Sequence, residues 1–359
     1  MKKICFVSGD IGHSGGTERV CILIANELAR RGYDISILSF WHGDPPFFEV
    51  HPNVKVLYLI NGRFEAWLKK TYIYAVLKLR KFIKENGVDV LVDVDTVLSR
   101  YSVYAVQNTG CRLISWEHFN YEHTLSEKIR IKTLKKARKY SDKILLLTKS
   151  DYVMHRELAH IDESKLYQIY NPTSFSISRT LGKRKKVFLS IGRLTYQKGF
   201  DILLQIWKEI WRELPDWKLQ IVGSGEDREL LERYIKDNSI GNVELVPNTT
   251  EIEKYYLDAA VYVMTSRYEG FPMVLLEAKA KGLPIISFDC KTGPNEIVSE
   301  GKSGFIVEMN DISTFSKKMI MLANNEQLRL EFAEKSLEEI KSYTVKSIGD
   351  EWEKLLNMI

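Results

Sequence analysis

Hydrophobic and polar positions along this chain alternate between two signatures. Short apolar runs, ICFVSG (4–9), ISILSF (35–40), VKVLYLI (54–60), VDVLVDV (88–94), RLISWE (112–117) and KILLLT (143–148), have the length of buried strands. Between them lie helical patterns. Segment 17–32 sets Val20, Leu23, Ile24, Glu27 and Leu28 at i, i+3, i+4 spacing and ends on Gly32, a C-cap signal. Near-continuous apolar strands separated by helices predict a parallel sheet covered on both faces. The rhythm breaks at NPTSFSISRTLGKRKK (171–186), which is polar, proline-led and basic, as a linker would be. It then restarts with VFLSIG (187–192), WKLQIVG (217–223), VELVP (243–247), AVYVMTS (260–266) and LPIISFD (283–289). The expected fold class is α/β: two Rossmann-like domains, 1–170 and 187–344, with parallel sheets facing across a cleft. A last helix over about 345–359 is expected to pack back on the first domain. No short-period repeat is present, which disfavours a solenoid.

Composition narrows this picture only slightly. With 359 residues, 45% hydrophobic and 28% charged, the chain is globular and large enough for two cores, which excludes disordered and collagen-like readings. The net charge of +5 is unevenly placed: residues 1–170 hold 26 basic and 19 acidic side chains, residues 171–359 hold 26 and 28. An anionic surface partner should therefore meet the first half. Cys5, Cys21, Cys111 and Cys290 form no C-x-x-C pair and no zinc-like cluster, and read as buried reduced thiols. The N-terminus MKKICFVSGD carries an apolar run too short for a signal peptide, and no stretch approaches 18 apolar residues. A cytoplasmic chain whose membrane contact is peripheral is expected.

Candidate chemistry gathers where strands end. A strand that runs into a Gly-, Ser-, Asn- or Asp-rich turn before a helix leaves backbone N–H groups at the carboxyl edge of the sheet, where open α/β sheets bind ligands. Ser14-Gly15-Gly16-Thr17-Glu18 follows the first strand; its glycines allow close approach of a phosphate, and Thr17 and Glu18 also read as a simple helix cap. Gly192-Arg193 and Lys198-Gly199 place two cations in one glycine-bounded loop, Arg as a bidentate anion donor and Lys as a mobile point charge. Gly223-Ser224-Gly225 is a further turn of this kind. In Glu269-Gly270-Phe271-Pro272-Met273-Val274-Leu275-Leu276-Glu277, Pro272 suits a first helical turn, so Glu269 precedes the helix while Glu277 stands roughly 7 Å up it. Two carboxylates so spaced, with a helix N-terminus between them, suit an extended ligand with hydroxyls at each end and a diphosphate in the middle. Glu277 also fits a solvated helix face. His118 ends the strand RLISWE and reads either as a site residue or as a satisfied turn histidine. Asp93-Val94-Asp95 has the form of a metal-binding triplet, but strand alternation sets Val94 opposite its carboxylates and no further acidic cluster or histidine joins them.

Taken in order, S-G-G-T-E, W-E-H, Asn171-Pro172, I-G-R-L-x-x-x-K-G-x-D, V-G-S-G and E-G-F-P-x-V-x-x-E resemble the retaining glycosyltransferases of family 4, with the GT-B fold, over nearly the whole chain; bacterial surface-polysaccharide members look most similar. The resemblance implies a metal-independent hexosyltransferase, without cofactor, that moves a sugar from a nucleotide-diphosphate donor, a UDP-sugar by expectation, to a lipid-linked or polysaccharide acceptor in O-antigen or capsule synthesis. By the same resemblance Arg193 and Lys198 would hold the donor diphosphate, Glu277 the ribose hydroxyls, and Glu269 the transferred sugar beside the N–H groups of Phe271, Met273 and Val274. Gly15, Gly16, Gly192 and Gly223 would bring backbone to the donor, and His118 would contact the sugar from the acceptor side. The sequence departs from the pattern at Val246-Pro247-Asn248, where a glycine turn is usual near the donor base, and is only loosely similar at Thr292-Gly293-Pro294-Asn295-Glu296.

Two basic segments, 63–84 and 128–143, are helical in pattern and mix cations with Trp67, Tyr72, Tyr74 and Tyr140. They suit either an anionic membrane surface on the inner leaflet or a solvated helix face. No nucleic-acid-binding signature accompanies them. Rival functions are a nucleotide-sugar epimerase or another GT-B-like enzyme, and a non-catalytic assembly partner. The combination of Arg193, Lys198, Glu269 and Glu277 argues against the last. A dinucleotide-binding dehydrogenase lacks its glycine fingerprint.

Overall fold

In the computed structural model, which describes residues 2–41, 45–60, 69–178 and 183–359, the chain divides into two units, Met1–Pro172 with Val345–Ile359, and Thr173–Thr344. The first unit is built on β1 (Lys3–Ser8), β2 (Asp34–Trp41), β3 (Val54–Ile60), β4 (Val90–Val94), β5 (Arg112–Trp116), β6 (Lys143–Leu146) and β7 (Leu166–Gln168), in the order β3-β2-β1-β4-β5-β6-β7. The second is built on β8 (Val187–Ile191), β9 (Lys218–Val222), β10 (Val243–Val246), β11 (Val261–Met264), β12 (Ile285–Phe288) and β13 (Gly304–Val307), in the order β10-β9-β8-β11-β12-β13. All strand pairings are parallel. Each unit is therefore a Rossmann-like doubly wound sheet.

The central strands explain the apolar runs. All five residues of β4 and all four of β11 are buried, because helices cover both faces. Winding reverses at β1/β4 in one sheet and at β8/β11 in the other. Crevices beyond the carboxyl ends of strands at such reversals are where this architecture binds ligands. The loops after β1, β5, β8 and β11 carry the sequence motifs to these edges.

Helix Gly16–Arg30 buries Val20, Ile24 and Leu28 on one face and stops just before Gly32, which takes φ +92° as a C-terminal glycine should. β7 and β13 lay outside the sequence reading: β7 has only three residues, and β13, GFIV, begins on the last glycine of the Gly301–Gly304 turn. The expected linker needs correction in its first part. Residues 173–178 pack into the second unit: Thr173 N–H donates to Tyr343 O at 2.7 Å, Ser178 N–H to Ala280 O at 2.8 Å, and the Phe175 ring stands edge-on to Tyr256 at 5.4 Å. The C-terminal helix Val345–Asn357 packs within the first unit against helix Gly16–Arg30.

The two basic segments are helices over Lys69–Asn86 and Lys128–Tyr140; residues 63–68 lie outside the described residues, and Lys143 opens β6 instead of closing the helix. Arg130, expected on the cationic face, is buried. All four cysteines are buried free thiols. Among the described residues no helix is long and apolar enough to cross a membrane.

Candidate active site

The second unit assembles its candidate residues from three loops packed backbone against backbone. Gly223 begins the turn after β9, and a Cβ there would lie 1.9 Å from Gly192 O. Gly199 takes φ +63°, and a Cβ on it would lie 2.1 Å from Thr265 O, just past β11. Only glycine permits these approaches. Leu194 N–H donates to Ser224 O at 3.0 Å, and Arg267 N–H to Gln197 O at 2.8 Å. The Arg267 guanidinium grips Asp201 with two bonds of 2.9 and 2.6 Å and lies over the Tyr196 ring at 4.0 Å. Burial works against ionisation of Asp201, but the Arg267 pair outweighs it and holds the carboxyl below its usual range. The turn that carries Lys198 is thereby fixed from below.

Lys198 Nζ donates to Glu269 Oε1 at 2.6 Å, and Glu269 is only 7% exposed. The Lys198 stem runs along Gly192, where a Cβ would come within 3.2 Å of it. The Thr292 hydroxyl donates to the Glu269 carbonyl at 2.5 Å, so the loop after β12 supports the Glu269 backbone. Arg193 is exposed and makes no ion pair or hydrogen bond among the described residues. Pro272 is the N-cap of helix Met273–Ala280 and not part of its first turn; no side chain caps that end. Phe271 is buried beside Tyr343, and Met273 and Val274 open the helix half-buried. Glu277 is buried, not on a solvated face: Ser174 Oγ donates to one carboxylate oxygen at 2.8 Å and Tyr256 OH to the other at 2.7 Å. These two hydroxyls fix the carboxylate plane. The loops thus bring Gly192, Lys198, Gly223 and Glu269 together, with Glu277 further along its helix.

In the first unit Gly15 is the N-cap of helix Gly16–Arg30, and a Cβ at Gly16 would meet nothing within 4 Å. His118 follows β5 with its ring 4.5 Å from that of Trp116; its Nε2 is shut off from solvent without a hydrogen-bond partner. Burial disfavours the imidazolium and lowers the His118 pKa to about 4. The preceding Glu117 is fully enclosed. It accepts from the Thr96 hydroxyl, from Phe119 N–H at 3.0 Å and from Arg130 at 3.4 Å, and burial, with the Asp95 charge adding to it, pushes its pKa up to about 8. Asp95, at φ +133°, is held by two Arg130 N–H groups at 3.0 and 2.9 Å. Asp93 instead takes the Ser99 and Ser102 hydroxyls at 2.8 and 2.5 Å. The two aspartates are thus turned to different partners, and among the described residues no three metal-ligating side chains cluster.

Sequence reasoning missed Ser174 and Tyr256, which reach the site by tertiary packing from segments without a motif, and it gave Thr292, in a loop only loosely similar to the family pattern, no role. It also missed Arg130, whose acidic partners Asp95 and Glu117 directly follow β4 and β5 and are distant in sequence.

Residues 14–175 match the family model described as Glycosyltransferase Family 4, and residues 174–339 match Glycosyl transferases group 1. The chain is 36% identical, over 99% of its own length and 100% of the relative's, to an uncharacterised glycosyltransferase of Haemophilus influenzae. It is 31% identical, over 99% and 100%, to the amylovoran biosynthesis glycosyltransferase AmsD of Erwinia amylovora. Among solved structures, a TarM mutant of S. aureus in complex with fondaparinux, alpha-GlcNAc-glycerol and UDP superposes with a TM-score of 0.83 at 16% identity, covering 99% of this chain and 100% of that one. Two parallel Rossmann-like units that superpose in this way define the GT-B fold. Within that class the chain belongs to the glycosyltransferases of group 1 type, with relatives in bacterial polysaccharide synthesis.

Proposed function

We propose that this protein transfers a hexose from a UDP-sugar to a lipid-linked or polysaccharide acceptor during bacterial surface-polysaccharide synthesis, with retention of anomeric configuration and without a metal. The observation that carries this reading is the Lys198–Glu269 pair, 2.6 Å apart, in the loops beyond β8 and β11 where the second sheet reverses. The bond between the sugar C1 and the donor phosphate oxygen breaks with its electrons moving to the diphosphate. Charge therefore develops where Arg193 and the remaining Lys198 N–H groups can meet it, and fixed cations there lower the barrier. Glu269 holds the transferred sugar, with the N–H groups of Phe271, Met273 and Val274 nearby. Glu277, set by Ser174 and Tyr256, receives the ribose hydroxyls. Gly192 and Gly223, packed against each other, present backbone to the donor, and in the first unit Gly15 caps a helix whose start at Gly16 is unobstructed. His118, kept neutral by burial, contacts the sugar from the acceptor side. The acceptor hydroxyl attacks from the face the diphosphate leaves, passing its proton to the departing phosphate oxygen. UDP in the TarM complex and the polysaccharide role in AmsD's name support the donor and pathway class.

The same reading places the first unit on the anionic inner face of the membrane. Helix Lys69–Asn86 exposes Ile73, Tyr74 and Leu77 beside Lys81 and Lys84, and helix Lys128–Tyr140 exposes Lys128, Lys132, Lys135, Arg138 and Lys139.

The test is a panel of nucleotide-sugars read by thermal shift, then turnover with and without a lipid-linked acceptor. A donor at 100 times its dissociation constant should add about 2.7 kcal/mol of stability. Glu269→Ala is expected to keep the donor-induced shift while losing on the order of 10²–10³ in turnover. An unchanged rate refutes the assignment of Glu269, and turnover without acceptor favours an epimerase.

A further inference from the structure

The C-terminal helix Val345–Asn357 reaches the loop of His118 through a row of aromatic rings. Trp352, without exposed surface, stands 5.7 Å from Phe6 of β1 and 4.9 Å from Trp116 at the end of β5, the latter edge-on at 69°. Trp116 in turn lies 4.5 Å from the His118 ring, tilted by 43°. Three polar atoms in this row, Trp352 Nε1, Trp116 Nε1 and His118 Nε2, are buried without a hydrogen-bond partner. Buried polar atoms are paired in the great majority of cases, so a row of three unpaired ones is a poor choice for stability alone and calls for another reason. Ring faces and edges, not a hydrogen bond at Nε2, set the imidazole on this side. On the other side, the Glu117 backbone is tied down through its own carboxylate by Thr96, Arg130 and Phe119 N–H.

The helix itself is clamped from outside this row. Arg31 bonds Glu27 at 2.9 Å on the neighbouring helix and reaches Asp350 at 2.7 Å, Glu353 at 2.6 Å and Lys346 O at 2.7 Å on the C-terminal one. Gly349 allows this closeness: a Cβ there would meet Arg31 Nη2 at 2.7 Å. Lys2 Nζ bonds Leu356 O, and Ile359 O at 2.8 Å, at the far end.

We propose that the C-terminal helix is a positioning element for sugar transfer: clamped by Arg31, it fixes Trp352, which fixes Trp116, which sets the ring of His118 at the carboxyl edge of the first sheet. Trp352 and Arg31 are thus positioning residues. The proposal rests on the reading of His118 as a group that contacts the transferred sugar. Arg193, Lys198 and Glu277 lie in the second unit, so loosening this row should leave donor affinity intact while impairing transfer.

The experiment uses the full chain with Trp352→Leu, Trp352→Phe, Arg31→Gln and His118→Ala. The His118 ring signal is assigned by its loss in His118→Ala among the seven histidines. UDP affinity is measured by calorimetry, and turnover with the donor the panel identifies. Trp352→Leu is expected to shift the His118 ring resonance, lower kcat at least tenfold and keep the UDP Kd within twofold; Trp352→Phe, which retains a ring, should recover most of the rate. Arg31→Gln loosens the helix without opening the core and serves if Trp352→Leu does not fold. It should move the same resonance and lower kcat severalfold. An unmoved His118 resonance in both Trp352→Leu and Arg31→Gln overturns the proposal, as does loss of UDP affinity in step with kcat. Unchanged kcat in His118→Ala instead overturns the reading of His118, while the resonance still decides whether the helix holds the ring.

Discussion

At the scale of single residues, the first unit buries Glu117 and Asp93 near the ends of β4 and β5 and half-buries His118, whose Nε2 is out of solvent. His118 ionises at about 4 because burial disfavours its charge, a tendency Arg130 strengthens and Asp95 opposes. As pH falls below the ordinary histidine value near 6.5, the unfolded chain takes up a proton that the folded chain refuses. This stabilisation is therefore lost on acidification from about 6.5 toward 4. Glu117 and Asp93, raised by burial to about 8 and about 7, act in the opposite sense. Over the window between their ordinary and raised values the folded chain keeps protons that the unfolded chain releases, so their effect is to lower stability as pH rises. The wild type is expected to show partial cancellation near pH 5–6.5. His118→Asn removes one side of it. The stability advantage of wild type over this variant should shrink by up to about 2 kcal/mol between pH 7 and pH 5. Urea unfolding followed by tryptophan fluorescence at the two pH values checks this; a gap that does not change with pH rules out a His118 held neutral by the fold.

At the scale of elements, the proposed donor side is built on glycine turns that touch one another. Gly223→Ala would drive a Cβ into Gly192 O, so the turns after β8 and β9 must separate. The expected result is a lower Tm together with at least tenfold weaker UDP binding. Gly16→Ala is the contrasting case, since its Cβ meets open space. Its Tm should hold, and any fall in kcat/KM would then report a ligand at that helix start; a lower Tm for Gly16→Ala would contradict this. These positions were legible in the sequence because a glycine at a strand end has few other uses. The strands were legible because central parallel strands are apolar on both faces, whereas β7 has only three residues and β13 begins inside a glycine turn. Glu277 is a site candidate in the sequence, and its apolar neighbours Leu275, Leu276 and Ala278 already disfavour full exposure; its partners were not legible, because Ser174 and Tyr256 look ordinary until the fold brings them to it. Arg130 was misread for the same reason: periodicity places it on a helix, but Asp95 and Glu117 decide which way that helix faces.

At the scale of the whole molecule, charge follows the division into units. With the C-terminal helix included, the first unit holds 28 basic and 22 acidic residues and the second 24 and 25, so the +5 total arises in the first unit. Total charge alone gives only a weak, salt-screened attraction to an anionic bilayer. Its arrangement decides more. On helix Lys128–Tyr140, Arg130 is used internally, while Lys132, Lys135, Arg138 and Lys139 remain exposed, each contributing about 1 kcal/mol near an anionic surface. Helix Lys69–Asn86 adds exposed Ile73, Tyr74 and Leu77, whose contribution does not fade with salt. The two contributions can therefore be separated. The full chain should pellet with anionic liposomes at low salt and partly detach as salt rises. Lys132→Glu with Lys135→Glu should abolish most low-salt binding, whereas Ile73→Ser with Leu77→Ser should remove the salt-resistant remainder. Neither pair should alter UDP affinity, since Arg193, Lys198, Glu269 and Glu277 lie in the other unit and Gly15 and Gly16 are not on these helices. If the wild type stays in the supernatant with anionic liposomes at low salt, these faces are solvated surfaces and the acceptor must reach the enzyme without them.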